Sequence, residues 1–120
     1  MPSEIRIDGE YAVDGSTYKI TMNFTDTNGD AVAPKTLTWS LLDSDEAIVN
    51  DRDAVVESVM ASTMVVVLSG DDITVSAGFS GLSEDRWFTI AGTYDSDLGT
   101  DKPLTDFLRF PVVRVPKKAA

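Results

Sequence analysis

Thr17-Tyr18-Lys19-Ile20-Thr21-Met22-Asn23-Phe24-Thr25 alternates strictly between polar and apolar residues. Tyr18, Ile20, Met22 and Phe24 fall on one side, and Thr17, Lys19, Thr21, Asn23 and Thr25 on the other. A period of two is how side chains project from an extended chain, so the stretch predicts a β-strand with one buried face. Asp26-Thr27-Asn28-Gly29-Asp30 follows at once. Asn-Gly tolerates positive φ, which predicts a tight turn at the strand's end.

The same alternation recurs downstream. Leu37, Trp39 and Leu41 alternate with Thr36, Thr38 and Ser40, placing a tryptophan at the centre of a second strand. Phe88, Ile90 and Tyr94 mark another over residues 87–94. Residues 63–68 read as a buried strand with apolar residues on both faces. Residues 5–8 read as a short opening strand and 47–50 as an edge or return strand. Residues 51–62 mix helix-like spacing with β-branched side chains, and read as loop plus a short strand. Residues 78–85 look turn-rich, and residues 95–103 read as a long acidic loop. Residues 107–115 form the last strand, where Pro111 predicts a sheet edge or a bulge because it lacks a backbone donor.

About seven strands with turn residues between them predict an all-β, antiparallel sandwich occupying residues 1–120 as a single domain. A central tryptophan at Trp39 is also where immunoglobulin-like sandwiches bury one, although the cysteines of antibody domains are absent. The expected core comprises Tyr18, Ile20, Met22, Phe24, Leu37, Trp39, Val66, Phe88, Ile90 and Tyr94.

The 120 residues contain no histidine and no cysteine. That removes the usual proton shuttle near neutral pH, the thiol nucleophile, disulfides and the commonest transition-metal ligands. No phosphate-binding glycine motif is present. Paired carboxylates abound, but a glycosidase also needs a deep cleft, which a sandwich of this size rarely has. The residue chemistry therefore predicts a non-enzymatic domain that needs no cofactor.

Twenty acidic against ten basic residues give a net charge of −10. That disfavours nucleic acid and anionic membranes as partners. Residues 1–8 place charges where the apolar core of a signal peptide would sit, so synthesis in the cytoplasm without secretory export is expected. The charge is uneven, since Arg109, Arg114, Lys117 and Lys118 all follow the last acid, Asp106. Residues 116–120 read as a short basic tail. Together with Arg109 and Arg114 it forms a candidate docking element for an acidic neighbour or a second copy.

Three further candidates come from local composition. Asp26-x-Asn28-Gly29-Asp30 has the flavour of a calcium loop, but a plain hairpin turn explains it as well. Asp95, Asp97 and Asp101 form a denser carboxylate cluster around Gly99, a weak calcium candidate set against a solvated loop. Trp87 falls on the face opposite Phe88 and Ile90, as an interface anchor or as a ring packed under a neighbouring loop or on the second sheet face.

Gly92-Thr93-Tyr94-Asp95-Ser96-Asp97-Leu98-Gly99-Thr100-Asp101-Lys102-Pro103-Leu104-Thr105-Asp106 resembles a phrase that recurs in small β-sandwich proteins of tailed bacteriophages and prophages. Thr38-Trp39-Ser40-Leu41-Leu42-Asp43, Val49-Asn50-Asp51-Arg52 and Leu68-Ser69-Gly70-Asp71-Asp72 extend the resemblance over residues 16–115. It implies an immunoglobulin-like virion protein of the head or head–tail joining region. Such a protein is made in the host cytoplasm and contacts other virion proteins, with a homo-oligomer as one form of contact. The alternative expectation is an immunoglobulin-like adhesion module that recognises a carbohydrate or protein surface, with calcium assistance from the 95–101 loop.

Overall fold

Residues 3–7, 11–26, 28–76, 81–96 and 98–114 are described by the computed structural model, the first segment as backbone. The described residues form eight strands and one 3-10 turn. In chain order the strands are β1 (Ser3–Ile7), β2 (Ala12–Val13), β3 (Thr17–Phe24), β4 (Thr36–Leu42), β5 (Val55–Val56), β6 (Thr63–Ser69), β7 (Ser83–Ser96) and β8 (Gly99–Val113). The 3-10 turn, Gly70–Ile73, lies between β6 and β7.

The fold is all-β, in two sheets. One is three-stranded in the order β1-β3-β6, and the other five-stranded in the order β2-β8-β7-β4-β5. All pairings are antiparallel but one: β2 runs parallel to β8, Ala12 against Val112 and Val13 against Val113. The second sheet is therefore mixed rather than purely antiparallel. The reason is that the N-terminal chain serves both sheets, pairing with β3 through β1 and with β8 through β2.

The two sheets share one apolar core. Tyr18, Ile20, Met22 and Phe24 of β3 are buried, as are Leu37, Trp39 and Leu41 of β4. Phe88, Ile90 and Tyr94 of β7 and Phe110 and Val112 of β8 complete it from the larger sheet. Tyr18 stacks on Phe110 with ring centroids 4.7 Å apart, joining one sheet to the other. Every expected core residue, Val66 included, is buried.

Four expectations need correction. β6 does not bury both faces: Met64, Val66 and Leu68 are buried, but Val65 and Val67 are 51% and 57% exposed. β6 is the outermost strand of its sheet, and its Val65 and Val67 stand on the face opposite the core, open to solvent among the described residues. Residues 95–103 are not a long loop. β7 runs on to Ser96 and β8 begins at Gly99, with a register irregularity between Tyr94 and Ser96. Cross-strand hydrogen bonding thus continues through a segment whose composition suggests a solvated turn. Part of the turn-rich stretch before Asp85 is also strand, since β7 starts at Ser83. Residues 47–50 form no strand. They make an isolated bridge from Ile48 to Leu42, and the chain then turns with φ of 51° at Asn50 and 57° at Asp51.

Other expectations hold. The 26–30 segment is a hairpin turn: the Asp26 carboxylate accepts the backbone N–H of Asn28 at 2.9 Å and of Asp30 at 3.0 Å. Gly29 supplies the positive φ, 86°. The expectation at Pro111 is met only in part: there is no bulge, and β8 is not the outermost strand, but among the described residues β2 pairs with it at Val112 and Val113 and not at Pro111. Gly92 has a packing role, because a Cβ there would collide with the carbonyl oxygen of Thr36 on β4. Any side chain would force β4 and β7 apart.

Trp39 anchors the larger sheet. Its ring lies 5.5 Å from Phe88, and its Nε1–H donates to Glu57 at 2.9 Å. Trp39→Ala removes a buried ring of the kind worth about 3–5 kcal/mol. Urea unfolding of the variant should show that loss, and a change under about 1 kcal/mol would mean the ring is not structural.

Candidate functional site

The outer face of the five-stranded sheet carries the molecule's most distinctive exposed chemistry. Cross-strand register sets its rows: Leu42 beside Trp87 beside Arg109, then Ser40 beside Thr89 beside Phe107, then Thr38 beside Ala91 beside Thr105. Hydroxyls dominate the rows toward the β7–β8 turn, where Thr36 and Thr93 Oγ1 atoms lie 2.9 Å apart. Aromatic rings dominate the opposite rows. Alternation along β4, β7 and β8 places all of these residues opposite the core residues.

Trp87 and Phe107 rings lie 5.5 Å apart at 52°. The Arg109 guanidinium sits 5.6 Å from the Trp87 centroid and reaches Asp85 at 3.8 Å. Trp87 is therefore half-buried beneath a ring and a guanidinium, while Phe107 is 60% exposed. Trp87 packs neither under a loop nor on the second sheet: its covering groups, Phe107 and Arg109, come from the adjacent strand β8 of its own sheet. Phe107 is the ring that solvent meets. Sequence reasoning missed it by treating residues 107–115 only as the terminal strand, although Phe107 shares the odd parity of Thr105 and Arg109.

These rings border a groove of about 580 Å³ whose lining includes Leu42, Glu46, Thr89 and Thr105. Glu46 comes from the β4–β5 connection and has a φ of 64°. That connection is held from within: Asp43 accepts the N–H groups of Asp45 at 2.8 Å and Ala47 at 3.0 Å. The groove wall thus belongs to a turn fixed by its own hydrogen bonds.

A second cluster is buried and holds this scaffold together. Glu84 and Arg86 continue the inner face of β7 beyond Phe88. Arg86 is fully buried, donating to the carbonyls of Asp72 at 2.7 Å and Thr74 at 2.9 Å and to Glu84 at 2.6 Å. Glu84 also accepts from the backbone N–H and hydroxyl of Ser76 at 3.1 and 3.0 Å. The Asp72 carboxylate, at the 3-10 turn, accepts from Arg52 at 2.8 Å, Asn50 at 2.9 Å and the Ser69 N–H at 3.2 Å. Burial pushes the Asp72 pKa up, but the hydrogen bonds from Arg52, Asn50 and Ser69 and the charge of Arg52 outweigh it, leaving the pKa below its ordinary value.

The remaining candidates are dispersed. Asp95 and Asp101 do come together, but around a cation the chain supplies: Lys35 Nζ lies 2.6 Å from Asp101 and 3.5 Å from Asp95. Asp95 also accepts the Asp101 N–H at 2.9 Å. The hydrogen bond to Asp101, opposed by desolvation and helped by the charges of Asp101 and Asp95, raises the Lys35 pKa. Asp97 lies outside the described residues, and among those described no three acidic side chains converge as metal ligands. Arg114 is half-buried at the end of the strand pairing, its N–H donating to Leu82 at 2.9 Å. Lys117 and Lys118 lie outside the described residues.

Comparison with protein families, curated proteins and solved structures gives no match. The site is therefore judged on its own chemistry.

The buried cluster makes two predictions. Arg86→Met leaves the Glu84 carboxylate without its charged partner and should cost about 3–5 kcal/mol. The Glu84→Gln/Arg86→Met double variant should cost clearly less than the sum of the single changes, and additive losses would mean the pair does not act as a unit. Asp72 has a lowered folded-state pKa. Its contribution to stability is present above the unfolded value, about 3.9, and is lost as pH falls through the folded value. Asp72→Asn should therefore flatten the acid limb of the stability–pH curve, and an unchanged limb would assign acid sensitivity elsewhere.

Proposed function

We propose that the chain is a non-enzymatic structural component of a tailed-phage or prophage particle, in the head or head–tail joining region, made in the host cytoplasm and acting by contacts with other virion proteins. The observation that carries the contact function is the open Trp87–Phe107–Arg109 face. Aromatic rings and arginine are the side chains enriched where proteins meet. They stand on a long paired hairpin, so little order has to be gained on binding.

We further propose that the fold is an immunoglobulin-like sandwich. In that domain's lettering β1, β3 and β6 fall as strands A, B and E of one sheet. β4, β7 and β8 fall as C, F and G of the other, with β5 beside C. Trp39 then occupies the buried position on strand C. The virion assignment is supported by the resemblance of residues 16–115 to such proteins.

Particles purified by density gradient from a lysate of the strain carrying this gene should contain the chain. Phe107→Asp, at an exposed position, should keep the native circular dichroism but be depleted from particles relative to wild type. A chain absent from pure particles would overturn the virion reading. Incorporation of Phe107→Asp at the wild-type level would overturn the role of this face.

The groove also favours a second reading, a carbohydrate-binding module. Exposed rings beside threonine hydroxyls offer an apolar platform with hydrogen-bonding groups at its side. Saturable glycan binding that is lost in Trp87→Ala would establish that reading in place of the first.

A further inference from the structure

We infer that the β6 edge is a self-pairing surface, through which two copies of this chain join their three-stranded sheets into one. The proposal rests on the sheet edges and is independent of the virion reading.

Exposed strand edges normally carry a device against pairing: a short strand, a charge or a proline. β2 and β5 are only two residues long. β1 carries Glu4 and Arg6. The open side of β8 carries Asp101, Lys102, Pro103, Arg109 and Pro111. β6 differs from all of these. It is seven residues long, Thr-Met-Val-Val-Val-Leu-Ser, with no charge and no proline. No charged residue occurs anywhere in 58–70, in a chain where one residue in four is charged. Among the described residues β6 pairs with β3 alone.

The backbone groups that face outward follow from parity. Phe24 N–H donates to Ser62 C=O and Gly70 N–H to Ser16 C=O, both in the same register as the β3–β6 ladder. Residues 62, 64, 66, 68 and 70 therefore turn their backbone groups toward β3. Thr63, Val65, Val67 and Ser69 turn theirs away. Ser69 N–H is held by Asp72 at 3.2 Å, which leaves Thr63, Val65 and Val67 as the available set.

That set is complementary to itself. An antiparallel two-fold centred on Val65 sets Val65 against Val65 and Thr63 against Val67, and satisfies the outward N–H and C=O groups of all three residues in both copies. Shifting the register by one pair in one direction would need the Ser69 N–H that Asp72 holds, and in the other would set Val67 against Ala61, outside β6. The half-exposed Val65 and Val67 side chains, otherwise unexplained, become a β-branched cross-strand stripe at the join. No like charges meet along it. A foreign strand would have to match this uncharged Thr-Val-Val pattern, which a second copy does by construction.

The test is sedimentation of the full chain against concentration and salt. Wild type should pass from monomer to dimer, and the dimer should strengthen with salt as the repulsion between two copies of charge −10 is screened. Val65→Lys puts two like charges face to face on the axis and should weaken the dimer at least about tenfold. Val65→Pro removes the central outward donor and should do the same, with circular dichroism reporting that each monomer remains folded. Amide exchange at Val65 and Val67 should slow as the wild-type dimer forms. A wild type that stays monomeric at millimolar concentration and high salt would overturn the proposal. So would a dimer that weakens with salt, or one that both folded variants retain.

Discussion

The buried guanidinium of Arg86 is the constraint on which the rest of the fold depends. It lies on the core face of β7 with no exposure, and the free-energy cost of placing a full charge there is large unless its partners are already in position. Those partners are two carbonyls of the chain just after β6 and the Glu84 carboxylate two residues before it on the same strand face. Arg86 therefore fixes how the chain crosses from the three-stranded sheet to the five-stranded one. The chain has no disulfide to make that crossing rigid. Asp72 extends the constraint outward. Its carbonyl takes Arg86, and its carboxylate takes Arg52 and Asn50 from the β4–β5 connection. One continuous set of hydrogen bonds thus runs from the core to the connection that supplies a wall of the surface groove.

Alternation made most of the core legible. Tyr18 through Phe24 and Leu37 through Leu41 lie as a period of two requires, because each strand has one face on apolar neighbours. The same rule misplaces Val65 and Val67. An apolar residue on a strand reports fitness for a pleated surface, not the presence of a second layer above it. Only the exposure of Val65 and Val67 in the structure shows that no layer covers them among the described residues. At residues 95–103 the error has the opposite sign. Asp, Gly and Ser weaken strand propensity locally, but long-range pairing of β7 with β8 continues through them, and Lys35 sits between two of the acids and offsets part of their charge.

Glu84 and Arg86 illustrate a deeper limit. Parity alone continues the inner face of β7 from Phe88 back through both. What makes their burial tolerable is a set of acceptors and donors around residues 72–76, and local composition does not report which segment will supply them. A charged residue at a core position is therefore legible as a geometric possibility but not as an outcome. The Trp87–Phe107 pair is the surface counterpart. Trp87 could be placed on the outer face from its own strand, whereas its contact with Phe107 depends on the register with which the next strand, β8, pairs back on β7.

Charge distribution links the surface to the fold. An excess of acids keeps most of the exterior hydrated and makes contact between like faces unfavourable at low ionic strength. Among the described residues two stretches escape this repulsion: the threonine-rich outer face of β4, β7 and β8, and the uncharged β6 edge. They lie on different sheets, one offering side chains and the other backbone donors and acceptors. A surface built from rings and hydroxyls selects a partner by shape and chemistry, whereas a strand edge selects by extended backbone and register. The two modes do not compete for the same atoms. Under the two proposals a copy of the chain would sit on one sheet and a different molecule on the other, with Arg86 and its partners keeping the crossing between the sheets in register.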